Sequence, residues 1–145
     1  MTELSDHTIR QKGIFPGLCE RREIVRHGIR TSYGLGPASY DLQLHTIQDE
    51  FGNEVDEYTF RPGNNFVVLG VAKEEFIMPN DVKGIVHDKS TWARLGLFVQ
   101  NTLIDPGWRG FLTLEFTYHG RKPLTVCEGM GICQVAFTQL YRAAT

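Results

Sequence analysis

The sequence predicts an all-β fold, a distorted barrel or jelly roll, on three observations. Short apolar or alternating stretches recur at close intervals after Pro37. Turn-forming residues separate them, and helical signals are confined to two brief segments. Residues Ser5 to about Gly13 form the first of these, a short N-terminal helix. Ser5 is its expected cap, Asp6 suits its positive end, and Gly13 closes it. Ile9 and the nearby Leu4 are the residues expected to face inward.

Strand signals follow in order. Tyr40, Leu42 and Leu44 alternate with Asp41 and Gln43, the period of a half-buried strand. Phe66 to Ala72 is a valine-rich run, after which Glu75 to Met78 and Val82 to His87 flank the turn-forming Pro79-Asn80-Asp81. Ser90 to Leu95 interrupts with one helical turn, Ser90 as its expected N-cap with free amides behind it. Leu97 to Thr102, Phe111 to Tyr118, Leu124 to Cys127 and Ile132 to Leu140 complete the strands.

Composition narrows the class. The 145 residues favour one domain, and 41% hydrophobic with 22% charged residues is ordinary for a soluble globular protein. A formal charge of -2 argues against a general nucleic-acid binder, which needs a basic face, but not against a small phosphorylated ligand. No apolar run approaches the roughly 20 residues that span a bilayer, and the acidic start lacks a signal-peptide core. Cys19, Cys127 and Cys133 have no disulfide-framework spacing, which predicts reduced thiols and a cytoplasmic setting.

Chemistry concentrates between residues 88 and 115. Lys89-Ser90-Thr91-Trp92-Ala93-Arg94 offers a mobile ammonium, a rigid guanidinium fork and a short hydroxyl donor. Together they fit polyphosphate, or else form a capped turn with solvated charges. In Ile104-Asp105-Pro106-Gly107-Trp108-Arg109-Gly110 the Pro-Gly pair favours a type II turn. Asp105 there either bonds its own backbone or accepts from a sugar hydroxyl, and Trp108 fills a core or interface more often than it stacks on a base. Glu115 lies in an apolar strand, sharing a face with Phe111 and Thr113 opposite Leu112, Leu114 and Phe116. A sheltered carboxylate suits proton transfer near neutral pH, whereas a solvated or arginine-paired one does not.

These segments resemble the dCTP deaminase family of the dUTPase-like superfamily. The likeness is carried by residues 89–97 (Lys-Ser-Thr-Trp-Ala-Arg-Leu-Gly-Leu), 104–110, Thr113-Leu114-Glu115-Phe116 and the closing strand Gly129 to Phe137. Pro37 to Leu42 looks like the family's early strand motif and Leu4-Ser5-Asp6 its opening helix. The resemblance implies a dUTPase-like single domain over residues 1–145, a homotrimer with sites shared between subunits, and a dCTP deaminase-like hydrolase. It also implies a deoxynucleotide triphosphate bound as its Mg²⁺ complex, with no zinc and no metal ligated by the protein itself; no nucleic-acid partner and no membrane association are expected from the composition above. Carried over by motif, Lys89, Ser90, Thr91, Trp92, Ala93 and Arg94 contact the nucleotide, Asp105 faces the deoxyribose, backbone at Thr113 and Leu114 reads the base, and Gln134 adds a contact. Glu115 is the implied proton shuttle, with Ser90 and Arg94 as catalytic partners.

The cysteines agree with zinc-independent chemistry. The His/Cys-x-Glu and Pro-Cys-x-x-Cys elements of zinc deaminases are missing, and no histidine near Cys127 or Cys133 in sequence completes a metal set, so both are read as structural or incidental. The chain departs from the family pattern in a shorter segment between Arg94 and Asp105, and it reads as lacking the usual C-terminal lid tail that closes over the phosphates. Three alternatives stay open. One is a dUTPase, in which Asp105 activates water and Trp108 takes the aromatic place of that family's motif. The others are a bifunctional deaminase/dUTPase and a non-catalytic nucleotide-sensing trimer.

Overall fold

The computed structural model describes residues 2–145. It begins with β1 (Thr2–Glu3), helix α1 (Asp6–Gln11) and a hairpin of β2 (Arg22–Arg26) and β3 (Ile29–Leu35). Then come β4 (Tyr40–Gln48), β5 (Glu54–Val55), β6 (Glu57–Phe60), β7 (Val68–Ile77), β8 (Val82–His87) and the single-turn helix α2 (Ser90–Ala93). The chain finishes with β9 (Leu97–Val99), β10 (Leu103–Ile104), β11 (Arg109–Tyr118), β12 (Leu124–Cys127) and β13 (Gly131–Gln139).

The main sheet runs β10-β8-β13-β4-β7-β11-β9, with β3 and β5 also paired to β4, β2 to β3 and β1 to β13. β12 and β6 form a separate antiparallel pair. Register shifts at Leu44/Thr46, Phe111/Thr113 and Gly131/Cys133 give the sheet the local bends by which it curls. This is the expected all-β architecture. The concave side is filled by aromatic rings: Phe15 stacks on Tyr40 with centroids 4.0 Å apart and meets Phe76 edge-on at 4.7 Å. Ile9 and Leu4 are buried as expected. Among the described residues no helix is long and apolar enough to cross a membrane.

Several local expectations are corrected. Ser5 occupies the N-cap of α1 with extended backbone, but its side chain makes no capping bond. Lys89, not Ser90, holds the N-cap position of α2, and Ser90 is its first helical residue. The two expected runs merge into one strand, β7 (Val68–Ile77), which leaves Phe66, Val67 and Met78 outside it, because Lys73-Glu74-Glu75 stays extended beside the β11 irregularity instead of turning. The expected strand 97–102 stops at Val99, and pairing resumes in β10 against β8. Strand structure also precedes Pro37. The β2–β3 hairpin turns through His27 and Gly28, whose φ values of 51° and 73° suit a tight hairpin turn, and its charged, mostly exposed residues hide the alternation.

Glu74 is a half-buried acid on β7. Both carboxylate oxygens accept the Gln43 backbone N–H, at 2.9 and 3.2 Å, yet burial outweighs these bonds and pushes the carboxyl up to about 7. A raised folded-state value means that folding is favoured where the group is protonated; this stability is full below about 4.5 and is lost as pH rises through about 7. Glu74→Gln, which stays neutral, should therefore gain stability relative to the wild type over that interval, by on the order of 2 kcal/mol. Urea midpoints measured at both ends of the interval check this; a pH-independent difference would refute it.

Candidate active site

A polar pocket of about 440 Å³ lies where the β2–β3 hairpin, the start of β4, the loop before α2 and β13 converge. Lys89, Ser90, Thr91 and Gln134, all singled out from sequence, line it. Arg21, Arg30, Ser32, Ser39 and Asp41 line it too and were not. The hairpin residues escaped notice because no strand was expected there. Asp41 was legible only as a polar position of an alternating strand, yet it is buried with its apolar neighbours.

The floor of the pocket is an ion pair. Lys89 Nζ stands 2.5 Å from Asp41 Oδ2, and both residues are buried. Ser32 joins the pair: its hydroxyl donates to Asp41 Oδ2 at 2.8 Å and accepts from Lys89 Nζ at 3.0 Å. Arg21 Nη2 donates to Ser32 Oγ at 3.1 Å and lies 4.0 Å from Asp41. Lys89 is thus a fixed counter-charge and not the mobile cation its sequence context suggested. Arg30 pairs with Glu23 at 2.9 Å on the exposed rim.

Other contacts hold the loop before α2 in place. Gln134 Nε2 donates to the Asp88 carbonyl at 2.8 Å, and Ser39 donates to Gln134 Oε1 at 3.3 Å. Asp88 Oδ1 accepts the Val99 N–H at 2.7 Å, tying β9 to the same loop. The Trp92 indole is buried and donates to the Gly131 carbonyl at 2.7 Å. Its side chain is therefore an anchor in the core, leaving only backbone at Trp92 for a ligand contact. The Leu114 side chain is likewise buried in the core, leaving only backbone there for recognition.

The remaining candidates lie elsewhere on the chain. Ala93 and Arg94 border a second groove with Leu95, Phe98 and residues 118–124. Thr113 borders a third, beside Leu69 and Val71. Asp105 is exposed at the start of a turn in which Trp108 N–H returns to the Asp105 carbonyl at 3.2 Å and Gly107 takes φ 82°, as a type II turn requires. Trp108 is half-buried and packs on Phe76 at 6.0 Å, the structural alternative expected of it.

Glu115 faces away from Leu114 and Phe116, which are buried in the core. Its Oε2 is buried with no hydrogen-bond partner from the protein, and among the described residues no ion pair joins it to Arg94. An unsatisfied buried carboxylate oxygen is uncommon and costly, so its persistence calls for a reason.

Comparison with known proteins supplies the context. Residues 52–140 match the dCTP deaminase-like family model. A dCTP deaminase of Anaplasma phagocytophilum is 31% identical, the match covering 94% of this chain and 84% of the relative. A Methanopyrus kandleri protein named "dCTP deaminase, dUMP-forming" is also 31% identical, over 97% of this chain and 83% of its own. Among solved structures, the 2'-deoxycytidine 5'-triphosphate deaminase from Agrobacterium tumefaciens superposes with a TM-score of 0.66 at 21% identity, covering 94% of this chain and 47% of that one. The chain thus spans about half the length of that solved deaminase. A dUTPase of EIAV has the same fold at a TM-score of 0.57 and 19% identity, over 74% of this chain and 80% of its own. The chain belongs to the dCTP deaminase family.

The ion pair yields a stability prediction. Asp41→Leu leaves the Lys89 ammonium buried without its carboxylate and should cost about 3 kcal/mol, whereas Asp41→Leu combined with Lys89→Met should cost less than the single change. Denaturant unfolding of the three proteins decides it; a double variant less stable than Asp41→Leu would contradict this account.

Proposed function

We propose that the protein hydrolytically deaminates dCTP, taken as its Mg²⁺ complex, to dUTP and ammonia without a zinc-bound hydroxide. The observation that carries the reading is Glu115, whose sheltered oxygen has no partner within its own chain. In this reading Glu115 takes a proton from a water held by Ser90, and the water oxygen bonds to C4 of cytosine. The proton passes to ring N3, and a second transfer protonates the amine. The C4–N bond then breaks to give uracil and ammonia. Arg94 orients Glu115 and stabilises the charge that develops. Asp105 faces the deoxyribose, and backbone at Thr113 and Leu114 meets the base edge. The pocket bounded by Ser90, Thr91 and Gln134, with Arg21 and Arg30 on the hairpin, suits the polyphosphate.

The catalytic groups are spread over separate surfaces of one chain, which favours a homotrimer whose sites form between subunits. Exposed Leu69, Phe98, Leu103 and Phe111 supply apolar surface for such an interface. The unpaired thiols at Cys19, Cys127 and Cys133 suit a cytoplasmic setting. A second reading, release of pyrophosphate as well, is favoured by the likeness to the dUMP-forming relative.

Incubation with dCTP or dUTP plus Mg²⁺ separates the readings. Ammonia from dCTP without pyrophosphate indicates a deaminase, and both products a bifunctional enzyme. Pyrophosphate from dUTP alone means a dUTPase, and neither product sinks the enzymatic reading. Glu115→Gln should abolish ammonia release while the nucleotide still binds. For the shared site, mixing Glu115→Gln with Arg94→Ala protein under subunit exchange should restore part of the activity that each lacks alone. Complete silence of mixed trimers would exclude the shared arrangement.

A further inference from the structure

The fold supplies the histidine that the sequence withheld from Cys127. His27 occupies the turn of the β2–β3 hairpin, Glu57 opens β6, and Cys127 closes β12 directly opposite Glu57 in the ladder. His27 Nε2 lies 2.9 Å from Glu57 Oε1, and a ring nitrogen, a carboxylate oxygen and the Cys127 sulfur all lie within 4.8 Å of one another. The expectation that no histidine completes a set around this cysteine is therefore corrected: residues 27, 57 and 127 converge in space.

The three donors are a nitrogen, an oxygen and a sulfur, the types zinc accepts together. A tetrahedral zinc site holds such atoms roughly 3.2–3.8 Å apart, close to the spacing these three side chains already have. The carboxylates of Glu128 and Asp56 lie near the sulfur as well as that of Glu57, with Arg26 the cation beside them, so the surroundings carry net negative charge, which suits a cation.

We infer that His27, Glu57 and Cys127 form a structural site for a borderline divalent metal, Zn²⁺ above others, with water at the fourth position. None of the groups assigned to deamination takes part, so the inference stands apart from that reading. The Cys127 proton leaves to solvent as the sulfur bonds the metal. The consequence is mechanical. The metal staples the hairpin tip to the β6–β12 pair, and the same hairpin carries Arg21, Arg30, Thr31 and Ser32 to the wall of the polar pocket.

The test uses the chelator-treated protein titrated with Co²⁺, then displaced by Zn²⁺. One tetrahedral Co²⁺ per chain with a thiolate charge-transfer band is expected, and Zn²⁺ should raise the melting temperature. Cys127→Ser should abolish the band, and His27→Asn, which keeps the left-handed turn conformation, should weaken binding at least tenfold. Glu57→Gln serves as a third variant on the far strand, also expected to weaken binding, with circular dichroism verifying each fold. No charge-transfer band in the wild type, or binding unchanged across the variants, would overturn the site.

Discussion

The Lys89–Asp41 pair is the contact on which the pocket's shape depends. It joins β4 to the residue immediately before α2, and Ser32 ties both to the hairpin. Desolvating two charges is expensive, and the cost is offset only because each finds its counter-charge and a further hydrogen bond. Three chain segments distant in sequence are thereby fixed together. Asp41 and Ser32 engage Lys89, while the two arginines nearer the rim are bonded to Ser32 (Arg21) and paired with Glu23 (Arg30).

A second constraint acts through backbone alone. Gly131 N–H donates to the Thr31 hydroxyl at 2.9 Å, and a Cβ on Gly131 would lie 1.8 Å from the Ser32 carbonyl oxygen. Only glycine permits β3 to lie this close to the start of β13. The Gly131 carbonyl also receives the Trp92 indole N–H, so one residue locates both the hairpin and α2. Positioning of residues 89–91 thus rests in part on the core contact of the adjoining Trp92.

How far the fold was legible follows from which physical signals were local. β4, β8, β11, β12 and β13 announced themselves through apolar periodicity between turns, and the facing of Glu115 opposite Leu114 and Phe116 followed from the two-residue period of a strand. The β2–β3 hairpin did not, since Arg22, Glu23, Arg26 and Arg30 are exposed and carry no buried alternation. With it went every hairpin residue of the pocket. The fate of Lys89 was equally hidden, because its partner stands 48 positions away and only the β4–β13–β8 order unites them. The convergence of His27 with Cys127 has the same origin in long-range pairing.

Glu115 shows why a strand can retain an unsatisfied acid. The backbone at this position is fully committed: Glu115 lies opposite Leu69 in the β7 ladder, and its carbonyl accepts the Gln100 N–H at 3.0 Å. Leu114 and Phe116 fix the strand's other face in the core, so a one-residue slip would expose them and turn the carboxylate into the core. The strand at Glu115 is thus held by packing to which the carboxylate does not itself contribute. On the proposed reading, lone pairs left without a partner inside the chain are the ones that proton transfer to a water and a pyrimidine requires.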